Sequence, residues 1–149
     1  MTIEPGQKFP GYTAQTHEGE TLNLADYRAG KKLVVFFYPA ATTRGCVRET
    51  TEFAARREEF DAVNAVLVGV SVDDVEKQKE HAVQCAANFP VLSDLDKTLS
   101  TQLDILNERG RSKRTTYVMD SAGIVRTIFH DVQIDGHVDQ VLQALRGLS

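Results

Sequence analysis

No stretch of this chain reaches the roughly 18 consecutive apolar residues that a transmembrane helix needs, so no membrane-spanning role is expected. Long basic runs are missing too, and a net charge of −4 argues against nucleic acid as the main partner. The opening segment MTIEPGQKFPGY has neither a basic n-region nor an apolar h-region, so no secretion signal is expected and the cytoplasm is the default compartment. Cysteine is scarce. Cys46 and Cys85 are too few for a disulfide framework, and without a signal they are expected to stay reduced or to do chemistry. No Cys-x-x-Cys pair occurs, and no cluster of metal ligands is evident. No repeat, low-complexity segment or linker divides the chain. A single domain over residues 1–149 is expected, able to bury roughly two-thirds of its unfolded surface. Its 42% hydrophobic and 26% charged residues suit a globular protein with a packed core.

What is present centres on Val34 to Phe53, VVFFYPAATTRGCVRETTEF. The β-branched and aromatic run Val34-Val35-Phe36-Phe37-Tyr38 predicts a fully buried strand, which Pro39 stops. After a short Ala/Thr segment, Cys46-Val47-Arg48-Glu49 opens a helical pattern. A thiol is thus expected in the first turn of a helix, where unpaired backbone N–H groups and the positive end of the helix dipole favour a thiolate.

The rest of the chain supplies the frame. Extended pieces around Phe9–Thr13 and Thr21–Leu24, separated by the turn His17–Glu20, predict an N-terminal β-hairpin. Asp26–Gly30 predicts a short helical turn or loop. From Cys46 the helix is expected to run to about Val63, with Arg48, Arg56, Arg57, Glu58 and Glu59 on its solvated side. Ala65–Val72 predicts a second buried strand, and Asp73 or Asp74 caps a helix over about 75–87 whose apolar side carries Val75, Ala82 and Ala86. A short strand at Phe89–Leu92 precedes a helix striped by Leu95, Leu99, Leu103 and Leu106. Two strand-like runs, Thr115–Met119 and Ile124–His130, flank the turn Asp120–Gly123, and a final helix starts at about Asp135. This order predicts an α/β protein with a central mixed β-sheet flanked by helices, and it resembles a thioredoxin-like fold.

Residues 39–46 have the spacing Pro-x-x-x-Thr-x-x-Cys. This resembles the peroxiredoxin active-site motif, and FFYPAATTRGCVRE is similar to its Q-type branch, also called bacterioferritin comigratory protein. The likeness continues through Gly69–Asp73, Pro90–Asp94, Lys113–Asp120 and Gly136–Asp139, and so spans nearly the whole chain. It implies a thiol-dependent peroxidase that needs no metal, haem or flavin. A peroxidatic cysteine must be ionised to attack an O–O bond, although a free cysteine has a pKa of about 8.5.

The resemblance implies a role for each residue of the motif. Cys46 is the peroxidatic cysteine, oxidised to sulfenic acid. Thr43 places its hydroxyl beside the sulfur and then orients the peroxide. Pro39 walls the pocket and fixes the loop. Arg114 stabilises the thiolate and the charge developing on the peroxide oxygens, aided by backbone N–H groups around Arg44 to Cys46. Glu49 orients an arginine. Each has a plainer alternative: Cys46 as a small packing residue, Thr43 as only an N-cap, Arg114 as a solvated cation.

The sequence also departs from the pattern. The position five residues after Cys46, where many Q-type relatives carry a resolving cysteine, is Thr51. Cys85 is the remaining candidate, on the helix after the second central strand, though about one turn later than expected. By helical spacing it lies at the edge of the apolar face, where partial exposure is permitted. His81, one turn earlier, either lowers the pKa of that thiol or is a surface histidine; a His81/Cys85 metal pair lacks further ligands. Arg44 replaces a proline often found in this loop, adding charge near Cys46 or pointing to solvent.

The expected cycle closes a Cys46–Cys85 disulfide that thioredoxin or a similar dithiol protein reduces, in a monomer. Alternatives are a one-cysteine enzyme recycled by an external thiol, a thiol–disulfide oxidoreductase, and a non-catalytic redox sensor or holdase.

Overall fold

The computed structural model describes residues 2–148. Strands β1 (Thr13–Thr16) and β2 (Thr21–Asn23) form the antiparallel N-terminal hairpin, followed by the short helix α1 (Leu24–Arg28). Next come β3 (Lys32–Phe37), α2 (Arg44–Ala55), α3 (Arg57–Ala62), β4 (Ala65–Ser71) and α4 (Val75–Cys85). The chain continues through β5 (Val91–Ser93), α5 (Thr98–Gln102), β6 (Thr115–Met119), β7 (Val125–Phe129) and α6 (His137–Arg146). The strands form one seven-stranded sheet in the order β2-β1-β5-β4-β3-β6-β7. β3, β4 and β5 run parallel and the outer pairings are antiparallel, so the sheet is mixed and the fold thioredoxin-like.

The apolar run of β3 becomes intelligible through the alternation of side chains across a strand. Val34, Phe36 and Tyr38 enter one buried cluster with Cys46, Phe53, Leu67, Val141 and Leu142. Leu33, Val35 and Phe37 enter the other, with Leu24, Val68, Leu99 and Tyr117. Each such side chain contributes about 1.5–3 kcal/mol by leaving water, which is why an unbroken apolar run marks a strand covered on both faces. Opposite Phe36 in the β4 register stands Gly69, where a Cβ would meet the Phe36 ring at 3.0 Å and the Tyr38 ring at 3.3 Å. A side chain there would push two rings of the buried cluster that contains Cys46.

Three elements differ from the sequence expectation. The helix expected from Cys46 to Val63 is broken at Arg56, whose N–H bonds back three residues to the Phe53 carbonyl at 3.2 Å. This tighter turn redirects the chain so that Phe53 and Phe60 both reach the core, ring centroids 5.8 Å apart. The first strand of the hairpin begins at Thr13 rather than Phe9. Before it, Gly6 and Phe9 donate to the carbonyls of Val125 and Gly123, tying this segment to the β7 edge instead. Leu95 is 61% exposed and lies outside the apolar stripe, because α5 starts only at Thr98.

Candidate active site

Pro39 ends β3, and four residues later Thr43 is the N-cap of α2 in extended conformation (φ −80°, ψ 153°). Between them Thr42 has φ +66°, a left-handed geometry that costs a β-branched residue about 1–3 kcal/mol and must be held by its surroundings. The loop is held from three directions. The Ala41 N–H donates to Asp73 Oδ2 at 2.7 Å, the Thr42 N–H to His81 Nδ1 at 2.9 Å, and Arg111 Nη1 to the Pro39 carbonyl at 3.3 Å. Helix α2 then starts, closed by the Val47 N–H on the Thr43 carbonyl at 2.8 Å. Its first amides, at Arg44, Gly45 and Cys46, have no acceptor within the helix.

Cys46 is 2% exposed. Arg114, just before β6, donates from Nη2 to Cys46 Sγ at 3.3 Å and from Nη1 to Glu49 Oε1 at 2.7 Å. One guanidinium therefore joins sulfur and carboxylate, and its planar fork fixes their relative positions. Glu49 is 1% exposed, and burial pushes its carboxyl up to about 7 while Arg114 pulls it down. Its Oε2 is the one buried side-chain oxygen or nitrogen without a partner among the described residues. Burial works against the charge of Arg114, but Glu49 and the Cys46 sulfur hold its pKa above the ordinary arginine value. Gly45 lies against this pair: a Cβ there would make ordinary contacts, 3.4 Å from Arg114 Nη2 and 3.5 Å from Ile134 Cδ1.

The structure thus brings together Cys46, Glu49 and Arg114, with Pro39 half-buried at the loop's start. Thr43 is exposed, and its hydroxyl donates to the Ala40 carbonyl at 2.6 Å rather than to the sulfur. A hydroxyl has one proton to give, and here the loop takes it. Arg44 is exposed.

Cys85 differs most from its expected setting. Far from being partly exposed, it is 1% exposed, and both cysteines are free thiols. The buried face of α4 is Gln78, His81, Ala82 and Cys85, whereas Ala86 is exposed. Polar residues occupy that face because they pair inside. The Tyr38 hydroxyl donates to Gln78 Oε1 at 2.6 Å, and Gln78 Nε2 donates to the Leu92 carbonyl at 2.6 Å. Cys85 Sγ donates to the Val47 carbonyl at 3.5 Å, and burial pushes this thiol up.

His81 is likewise no surface residue. It is 0% exposed, stacks on Tyr38 with ring centroids 4.6 Å apart, and places Nε2 2.9 Å from Thr50 Oγ1 and 3.7 Å from Cys85 Sγ. Burial lowers its pKa to about 4, so the ring is neutral at pH 7. Among the described residues no cluster of three or more His, Cys, Asp or Glu could hold a metal ion.

Two loop-holding residues, Asp73 and Arg111, were not singled out from sequence as part of the site. Asp74 is the N-cap of α4, accepting from the Lys77 N–H at 2.8 Å, which leaves Asp73 free for Ala41, Ser71 Oγ and Arg111. The consecutive acidic pair was the available signal: a helix takes one N-cap, so the second carboxylate needs another partner.

Comparison with known proteins agrees with this geometry. Residues 5–128 match the AhpC/TSA family. Peroxiredoxin Bcp of Bacillus subtilis is 33% identical over 156 residues, covering 100% of this chain and 99% of that one. The crystal structure of peroxidoxin BcpB from Mycobacterium tuberculosis superimposes with a TM-score of 0.92 at 31% identity, covering 99% of both chains. The bacterioferritin comigratory protein of Xanthomonas campestris, described for its alkyl peroxide reduction activity, gives 0.85 at 29% identity over 98% of this chain and 96% of that one. The likeness runs the length of both chains and includes the loop and helix that carry Cys46. On these grounds the chain belongs to the peroxiredoxin family of peroxidases, in its Q-type, bacterioferritin comigratory protein branch.

Proposed function

We propose that this peroxiredoxin reduces hydrogen peroxide and alkyl hydroperoxides with Cys46 as the peroxidatic nucleophile. The observation that carries the reading is the guanidinium of Arg114, held by Glu49 and donating to Cys46 Sγ at 3.3 Å. The Cys46 thiolate attacks one peroxide oxygen in line. The S–O bond forms as the O–O bond breaks, and the departing oxygen takes a proton and leaves as water or alcohol. Arg114 and the first amides of α2 stabilise the charge that develops on that oxygen. Thr43, at the rim, keeps its proton on Ala40 and accepts a hydrogen bond from the peroxide O–H through a free lone pair. Pro39 shields the sulfur from water, and Glu49 orients Arg114. The alkyl peroxide reduction activity named for the Xanthomonas protein supports including organic peroxides among the substrates.

In the second half of the cycle the Cys85 sulfur attacks the sulfenic sulfur of Cys46, water leaves, and a disulfide forms. Thioredoxin or a similar dithiol protein reduces it, and the enzyme works as a monomer. Disulfide geometry brings two Cα atoms within about 7 Å, so Cys85 has to leave its bond to Val47 and the backbone around one of the two cysteines has to unwind. A one-cysteine cycle is the second reading, favoured by the 1% exposure of Cys85.

The test is the intact mass of reduced protein after one equivalent of peroxide, unfolded with free thiols blocked. Loss of two hydrogens with both thiols supports the two-cysteine cycle. Gain of one oxygen with Cys85 still free selects the one-cysteine cycle, and an unchanged mass overturns the peroxidase reading.

A further inference from the structure

Thr42 is the least comfortable residue of the loop, and what holds it comes from α4. A neutral imidazole has one nitrogen that donates and one that accepts. The Thr42 N–H can only donate, so Nδ1 of His81 carries the lone pair and Nε2 the hydrogen. That hydrogen points to Thr50 Oγ1, 2.9 Å away on α2. A single ring therefore ties the loop before α2 to the second turn of α2, and Cys46 lies between the two attachment points. The Tyr38 ring beneath it and the Tyr38–Gln78 hydrogen bond leave His81 little freedom to tilt.

We propose that His81 is a positioning residue for peroxide reduction: from the helix that carries Cys85, its ring holds Thr42 in the left-handed conformation that starts α2 and thereby aims Cys46 at Arg114. The proposal rests on the peroxidatic reading of Cys46. It also links the two halves of the cycle. His81 and Cys85 share the buried face of α4 one turn apart, so unwinding around Cys85 loosens the ring that holds the loop.

His81→Phe and His81→Asn separate positioning from space filling. Phenylalanine keeps the stacking on Tyr38 and fills the site but accepts no hydrogen bond. Asparagine leaves a void but presents Oδ1 where Nδ1 stood. Rapid-mixing measurement of Cys46 oxidation by hydrogen peroxide is expected to be about tenfold slower or worse in His81→Phe, with most of the rate recovered in His81→Asn. Urea unfolding of each variant reports whether it folds. A space-filling residue gives the opposite order, and that order overturns the proposal, as does a His81→Phe rate equal to that of the unsubstituted protein. A protein whose Cys46 peroxide does not oxidise at all instead overturns the peroxidase reading. Should His81→Phe fail to fold, amide hydrogen exchange of the unsubstituted protein decides: a Thr42 N–H protected about a hundredfold supports the bond to His81, and free exchange overturns it.

Discussion

Both thiols of this protein are buried and both touch α2, yet their neighbours differ in charge. Cys46 faces the cation of Arg114, which is paired in turn with Glu49. Cys85 faces the carbonyl of Val47 and the neutral ring of His81, inside a network with no charged member. Burial pushes the Cys85 thiol up, and its hydrogen bond to the Val47 carbonyl keeps the proton on sulfur. At Cys46 the neighbour is instead a fixed cation, whose guanidinium N–H donates to the sulfur. In the proposed cycle this contrast separates the attacking sulfur from a second sulfur that acts only after the structure around it moves.

Removing the cation breaks the contrast most severely. Arg114→Ala should lower the second-order rate of peroxide reduction by about 10²–10³. It should also destabilise the fold by about 1–3 kcal/mol, because Glu49 loses its hydrogen-bond partner and is held as a protonated acid in the core. Rapid mixing and urea unfolding read the two effects, and a rate within twofold of the unsubstituted protein would remove Arg114 from the mechanism. Next in size, Cys85→Ser should stop the cycle at the sulfenic acid. Turnover with a thioredoxin system should fall at least about tenfold, and the protein should gain one oxygen in mass. Full turnover in that variant would make Cys85 structural and make the one-cysteine cycle correct. Thr43→Val removes the oxygen proposed to receive the peroxide and should slow reduction about 10-fold while leaving the urea midpoint nearly unchanged, since the side chain is exposed.

The smallest effect sharpens the comparison through pH. Glu49 has a folded value of about 7 against an ordinary 4.5, so between those values the folded state binds the extra proton and this group stabilises as pH falls. His81 has a folded value of about 4 against 6.5, so over that range the unfolded state binds the extra proton and the fold weakens as pH falls. Burial lowers the pKa of His137 as well, which adds to the second trend. Between pH 6.5 and 4.5 the two sites oppose each other, each by at most about 1.4 kcal/mol per pH unit. Urea midpoints should therefore fall modestly with acid for the unsubstituted protein over that range and fall more steeply in Glu49→Gln. Parallel curves for the two proteins would contradict the assignment to Glu49.

How much of this was legible in the sequence depended on whether a residue's own chemistry declares its role. β3 and β4 were legible because unbroken apolar runs leave few alternatives to a covered strand. The span Pro39–Cys46 was legible through its spacing. The helix register of α4 was not. Of Val75, Ala82 and Ala86, expected as its apolar side, only Ala82 is buried, and it shares the inner face with Gln78, His81 and Cys85. In sequence, a glutamine or histidine that pairs with a buried tyrosine or threonine looks the same as one that faces water. The break at Arg56 was hidden for a related reason: it depends on where Phe53 and Phe60 find space.

By itself the sequence determined the sheet-and-helix order, the buried central strands and the thiol at a helix start, because apolar periodicity, Pro39 and the motif spacing act locally. The resemblance named Arg114, but tertiary structure alone decided that one guanidinium joins Cys46 to Glu49, which carboxylate holds Thr42's neighbour Ala41, and that Cys85 and His81 lie inside. Those outcomes join residues 32 to 68 positions apart, and only the packing of β6 and α4 against β3 and α2 brings their polar atoms within hydrogen-bonding distance.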